Sequence, residues 1–130
     1  SLPLPENREQ LFDILLMMAQ VIAIKLSDPL YLSILRIVFA ESVRFPELGE
    51  LLLESFPKST GILTDLLKKC KETGLVKLEE GDVEMSMRMF IGPMIGHAFF
   101  VGLLSGASTP EPMSEEDLKR LCRIYAESVT

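Results

Sequence analysis

The stretch that decides the fold covers residues 82–104 and reads DVEMSMRMFIGPMIGHAFFVGLL. It opens into a run without Asp, Glu, Lys or Arg that extends from residue 89 to residue 110. Apolar residues occupy all sides of this segment, whereas a surface helix of a soluble domain keeps one polar face. The pattern therefore predicts a long helix that must be covered on more than one side.

Two structures explain such a run. A membrane-spanning helix needs about 20 apolar residues, and the run contains two Gly-x-x-x-Gly spacings, which allow membrane helices to approach closely. However, it also contains Pro93 and His97 and lacks flanking clusters of Lys or Arg. We therefore favour a helix of a soluble, non-membrane protein, with one face in the core and the other against a second copy of the chain.

The rest of the chain predicts an all-α fold in a single domain, 1–130. Asp28 precedes a proline and is expected to cap a helix, as are Asp82 and Ser114, while Gly74 is expected to end one. A kink is expected at Pro93. The six predicted helices cover about 6–26, 29–44, 47–56, 59–73 and 82–104, with a last helix that follows the cap at residue 114.

Composition and charge exclude several functions. The formal net charge of −6 repels phosphate backbones, so direct nucleic-acid binding by these residues is not expected. Cys70 and Cys122 do not form a disulfide framework, which favours a reducing, cytoplasmic environment. The chain begins with Ser1 and no signal peptide, so we expect it to be processed or cut from a longer protein.

Motifs for catalysis are absent from the sequence. It has no glycine-rich phosphate loop, paired catalytic carboxylates or metal-spaced cluster, so we expect neither an enzyme nor a metal or cofactor site. His97, the only histidine, is interpreted as an interior or interface residue or as a polar contact in a ligand pocket. The methionines around Pro93 either fill the core or line a pocket for apolar ligands.

Residues 36–48, RIVFAESVRFPEL, resemble the middle of the regulatory domain of TetR-family transcriptional repressors. Two further stretches agree with this resemblance. Residues 66–83 are similar to the family's amphipathic helix, the short connector after it and the acidic start of the next helix. Residues 90–106 are similar to the long apolar helix that precedes the family's last helix. The resemblance implies a C-terminal domain that binds a small molecule and dimerises through its last two helices. DNA binding would belong to an N-terminal helix-turn-helix domain that is absent from these residues.

The predicted function is therefore effector sensing and dimerisation in a TetR-like repressor, with a small apolar or aromatic ligand. The alternative is a purely structural homodimerisation or adaptor module without a ligand. In the expected homodimer, the last two helices of both copies form a four-helix bundle. The candidate ligand-binding residues are Phe12, Met17, Phe39, Phe90, Met94 and His97. The candidate interface residues are Ile95, Phe99, Phe100, Leu103, Leu118, Leu121 and Tyr125.

Overall fold

A computed structural model describes residues 3–55, 57–106 and 110–130. Over these residues the chain is all-helical and has no β-strand, which confirms the predicted fold class. A 3-10 turn, Glu80–Asp82, leads into the fifth helix, and a π-helical turn, Ala98–Leu103, directly follows it. The six helices are α1 (Arg8–Leu26), α2 (Pro29–Glu41), α3 (Pro46–Ser55), α4 (Pro57–Glu72), α5 (Val83–His97) and α6 (Glu115–Val129).

Most of the predicted helix caps are confirmed. The Asp28 carboxylate accepts from the Leu30 amide at 3.2 Å, and the Ser114 hydroxyl accepts from the Asp117 amide at 3.1 Å. Gly74, at a φ of 85°, has the left-handed conformation that ends a helix. The prediction for Asp82 was wrong, since its side chain makes no cap bond. It ends the 3-10 turn with helical φ and ψ, whereas a capping side chain needs an extended backbone.

Two helix ends differ from the predicted ones. The second helix ends at Glu41 instead of residue 44, and a turn follows in which the Phe45 amide donates to the Glu41 carbonyl at 2.8 Å. The predicted helix 82–104 ends at Leu103 instead of residue 104, and its last turn is π-helical. Pro93 lies inside α5, which continues past it without interruption.

The core lies between α1, α4, α5 and α6. The long α1 runs along α6, and its buried residues, including Leu11 and Leu15, recur mostly every fourth position, as expected for one helix face. Phe90 of α5 is fully buried, and its ring lies 5.0 Å from that of Tyr125 on α6. The second helix buries Leu32, Leu35 and Val38 outside this central cluster, against α3 and the π-helical turn.

One helical element of the described part of the chain, Glu80–Leu103, is long and apolar enough to cross a membrane. The helices α1 and α2 meet the same criteria only as a pair bent by 69°. The core helix of a soluble protein also meets them, and α5 packs against α1, α4 and α6. The apolar character of α5 is therefore explained on its inner side by the core.

Candidate functional site

A small cavity lies between the C-terminal end of α1, the junction of α5 with the π-helical turn, and residues 110–113. Its volume is about 10 Å³, which is about the space of one water molecule. Pockets that enclose a small-molecule ligand have volumes of roughly 300–1,000 Å³, so such a ligand must displace part of the wall. The lining residues are Ala23, Leu26, Ser27, Met94, His97, Ala98, Gly102, Pro110, Glu111, Pro112 and Met113.

His97 closes one side of the cavity. Its Nε2 lies 3.0 Å from the carbonyl oxygen of Glu111, which accepts, so Nε2 carries the proton in this arrangement. The ring is half-buried. This bond ties the end of α5 to the segment that covers the cavity, and it places one polar group in a wall that is otherwise mostly apolar.

Only two of the six candidate ligand-binding residues, Met94 and His97, line this cavity. Phe90 is enclosed in the core against Tyr125. Phe12 lies elsewhere, in an open groove between α1 and α6, where the Arg123 guanidinium is 5.6 Å from its ring centre. The other two candidates, Met17 and Phe39, have exposed side chains.

The methionines of α5 are divided between its two sides. Met87 and Met94 are buried in the core, whereas Met85 and Met89 are exposed. The expected methionine-lined pocket beside Pro93 is therefore reduced to Met94 at the cavity.

An exposed apolar strip follows the other side of α5. We call it the outer face and define it by Met85, Met89, Gly92, Gly96 and Phe100, which recur every three or four positions. The three side chains are 57%, 67% and 68% exposed. A Cβ atom placed on either glycine would have no neighbour within 4 Å. The outer face is therefore an open apolar surface with a shallow centre.

The seven candidate interface residues do not share one side. Ile95, Phe99 and Phe100 are exposed, and Leu103 and Leu121 are half-buried. Two others are covered by the chain itself: Leu118 and Tyr125 are only 3% and 6% exposed.

The Tyr125 hydroxyl is fixed in that position by a hydrogen bond. It lies 2.7 Å from the Ser86 hydroxyl, so this bond joins α6 to α5 inside the core. Ile124 is exposed on α6, three positions after Leu121, and was not among the predicted interface residues. Helical spacing from Leu121 is the signal that identifies it.

Arg36 is the only charged residue of α2 before Glu41, and it was not among the predicted site residues. Its Nη2 donates to the Gly102 carbonyl at 2.7 Å, which joins α2 to the π-helical turn. A single cation in an otherwise apolar helix indicates a polar partner for Arg36. The sequence does not identify that partner, because Gly102 lies 66 positions away.

Burial raises the pKa values of both thiols and of both tyrosines, Tyr31 and Tyr125, and so suppresses their ionisation. It raises the pKa of Cys122 from 9.0 to about 12, and the charge of Glu115 adds a smaller increase. Burial also raises the pKa of Cys70 and that of Tyr125, whose bond to Ser86 partly offsets the effect. Protonated buried thiols are poor nucleophiles and metal ligands. In the described ranges no three His, Cys, Asp or Glu side chains are grouped so as to hold a metal ion.

A comparison with known protein families identifies the family of this chain. The model of a family described as the C-terminal domain of AefR-like transcriptional repressors matches residues 10–125. The chain belongs to the TetR family. The match runs from α1 into α6 and confirms the resemblance found in the sequence. TetR-family C-terminal domains bind effectors and dimerise in transcriptional regulators, and they form a non-enzymatic family. No curated protein and no solved structure gives a significant match.

Proposed function

We propose that this TetR-family domain senses a small apolar or aromatic effector at the cavity beside Met94 and His97. The domain dimerises through the outer face of α5 and acts in the cytoplasm. DNA is bound by a separate N-terminal helix-turn-helix domain of a longer protein. The observation that carries this proposal is the position of α5 with its π-helical turn, which line the cavity on one side and carry the exposed strip on the other.

The chemistry of the cavity supports an apolar effector. Alanine, leucine, methionine and proline side chains form most of the wall, while His97 offers one polar contact. Met94 is flexible enough to make room, because an unbranched thioether adapts its rotamers readily. An effector that binds only the opened form shifts the population toward that form, as differential affinity requires.

The outer face supports a homodimer. Exposed apolar patches on soluble domains mark interaction sites, and a strip with two glycines allows a partner helix to approach closely. Arg88, which is next to Met89 of the outer face in the sequence, forms an ion pair at 2.9 Å with Glu84, near the start of α5. In the proposed dimer, α5 and α6 of both copies form the four-helix bundle, and Ile124 extends the apolar surface onto α6.

Thermal unfolding with indole and 1-naphthol tests the sensing function. We expect a saturable rise in the unfolding temperature, because a ligand that binds only the folded state stabilises it. The Ala23→Leu variant fills the cavity from α1 and should abolish the rise. Ala40→Leu, at an exposed position of α2, is the matched control and should keep it. An equal response of both variants would place binding elsewhere.

Sedimentation velocity of Phe100→Asp tests the dimer. A charge buried against an apolar partner surface is costly, so we expect the dissociation constant to rise at least about 100-fold, or roughly 2.8 kcal/mol. Ile62→Asp places the same charge at an exposed apolar position of α4 and should leave association unchanged. A monomeric wild type at micromolar concentration would refute the dimer, and a dimeric Phe100→Asp would refute the position of its interface.

A second candidate function is a structural dimerisation module without a ligand. The observation that favours it is the cavity volume of about 10 Å³. It predicts a dimer that is sensitive to Phe100→Asp and no thermal response to either aromatic probe.

A further inference from the structure

The π-helical turn Ala98–Leu103 lies between the cavity and the outer face. The Leu104 amide donates to the Phe99 carbonyl at 3.0 Å, a bond that spans five positions as in a π-helix. Ala98 and Gly102 are buried and line the cavity, whereas Phe100 is exposed and belongs to the outer face. The same turn therefore contacts both proposed sites.

Arg36 holds the C-terminal end of this turn from the side. The last carbonyls of a helix have no partner within the helix, and a cation that binds them also interacts favourably with the helix dipole. The guanidinium of Arg36 fills this role at the Gly102 carbonyl, at 2.7 Å. Because Arg36 belongs to α2, the bond couples the end of the long helix to a separate element.

The contact between α2 and the turn is also tight. A Cβ atom on Gly102 would lie 3.0 Å from Cδ1 of Leu32. A shift of the turn toward α2 is therefore opposed by packing, and a shift away from α2 breaks the bond to Arg36. The turn has two restraints from α2 and one further tie at its start, where His97 binds the Glu111 carbonyl.

We propose that the turn Ala98–Leu103 is a register switch that links the cavity to the outer face, and that Arg36 holds it in the π-helical register. A π-helical turn contains an extra residue relative to an α-helical one, and its conversion turns the following residues by about 100° around the helix axis. A ligand too large for the cavity displaces Ala98 and Gly102, breaks the Arg36 bond and repositions Phe100 and Leu103. This inference rests on the proposed function, since it joins the two sites assigned there.

Fluorine NMR of the chain labelled with 4-fluorophenylalanine tests the switch. Arg36→Met removes the bond to Gly102, so the signals of Phe99 and Phe100 should move while that of Phe12 stays. Arg36→Lys, which keeps a cationic donor, should restore the wild-type signals in part. Arg44→Met is the matched control, because Arg44 is an exposed arginine just after α2, and it should leave all three signals in place.

Two further variants separate the switch from a loss of packing. Deletion of Val101 removes one residue from the turn, should impose the α-helical register, and should move the same two signals. Addition of Arg36→Met to this deletion should then have no further effect, since the bond is already lost. Ala23→Leu, which occupies the cavity from α1, should move these signals as Arg36→Met does, whereas Ala40→Leu should not.

The dimer dissociation constant gives the functional result. We expect Arg36→Met and the deletion to change it by about tenfold, with Arg44→Met unchanged. Unmoved Phe99 and Phe100 signals in Arg36→Met would overturn the proposal, and unmoved signals in Ala23→Leu would overturn its link to the cavity. A monomeric wild type whose signals still respond would instead refute the proposed dimer and retain the switch. The spectra are recorded at a protein concentration below the dimer dissociation constant, so that the response of the Phe99 and Phe100 signals is separated from association.

Discussion

The inner and outer faces of α5 contain the same kinds of side chain in opposite environments. On the inner face Met87, Phe90 and Met94 are buried against the core, whereas Met85 and Met89 on the outer face are exposed. Hydrophobicity alone does not distinguish the two faces, because both follow the same helical period. A helix that is apolar on all sides thus indicates that both the core and a partner must cover it. The pattern does not indicate which side faces the core and which faces the partner.

The last helix shows the opposite arrangement. Its apolar residues form a single stripe that includes Leu118, Cys122 and Val129, and the other positions are mostly charged or polar. That stripe is covered by α1 and α5 of the same chain. A helix with one apolar face thus meets its own core first, which leaves Ile124 and the edge at Leu121 for contact with a partner.

The largest expected difference between the two faces is in stability. Phe90→Ala should lower the free energy of unfolding by about 3–5 kcal/mol, because it removes a fully buried ring and leaves a cavity beside Tyr125. Phe100→Ala on the outer face should change it by no more than about 0.5 kcal/mol when the protein is monomeric. Urea unfolding at a concentration below the dimer dissociation constant measures both values.

In an association assay the order of the two variants should be reversed, with the larger effect on the dimer dissociation constant in Phe100→Ala. Phe100→Ala should weaken the dimer, while Phe90→Ala should act only through the loss of folded protein. Equal losses of stability in the two variants would mean that the outer face is packed in the monomer, contrary to its exposure.

The fold was more predictable from the sequence than the site. Caps such as Asp28 and Ser114 are local signals, so most helix boundaries follow from neighbouring residues. The cavity depends on which helix faces meet, and spacing within one helix does not contain that information. Met94 and His97 were predicted because they lie on one element, whereas Arg36 acts through a carbonyl of a distant helix.

A smaller effect is expected from the polar contact on the inner face. Ser86→Ala should cost about 1–3 kcal/mol of unfolding free energy, because it leaves the buried Tyr125 hydroxyl without its partner at 2.7 Å. Tyr125→Phe should have a similar cost, and the double variant should cost less than the sum. Urea unfolding of the four proteins of this cycle gives the coupling. Additive losses would show that the bond contributes nothing, and Ser33→Ala, at an exposed position of α2, provides a control.

The last effect is absent at neutral pH. The pKa of Cys122 is raised from 9.0 to about 12 by burial first and by the charge of Glu115 second. A group whose pKa is raised on folding contributes stability that is complete below its unfolded pKa and is lost as pH rises through the folded pKa. The wild type should therefore lose this contribution between pH 9 and about pH 12.

Cys122→Ala isolates that loss from the titration of other groups. At pH 7–8.5 the variant should be less stable than wild type by a constant amount, because a buried sulfur has been removed, and above pH 9 the difference should shrink. A thiol on the outer face sharpens the comparison: Met89→Cys in the Cys122→Ala background places it at an exposed position, where no desolvation raises its pKa. Urea midpoints from pH 7 to 12 should then follow those of Cys122→Ala alone. Parallel curves for wild type and Cys122→Ala would instead mean that the inner face of α6 admits water to the thiol.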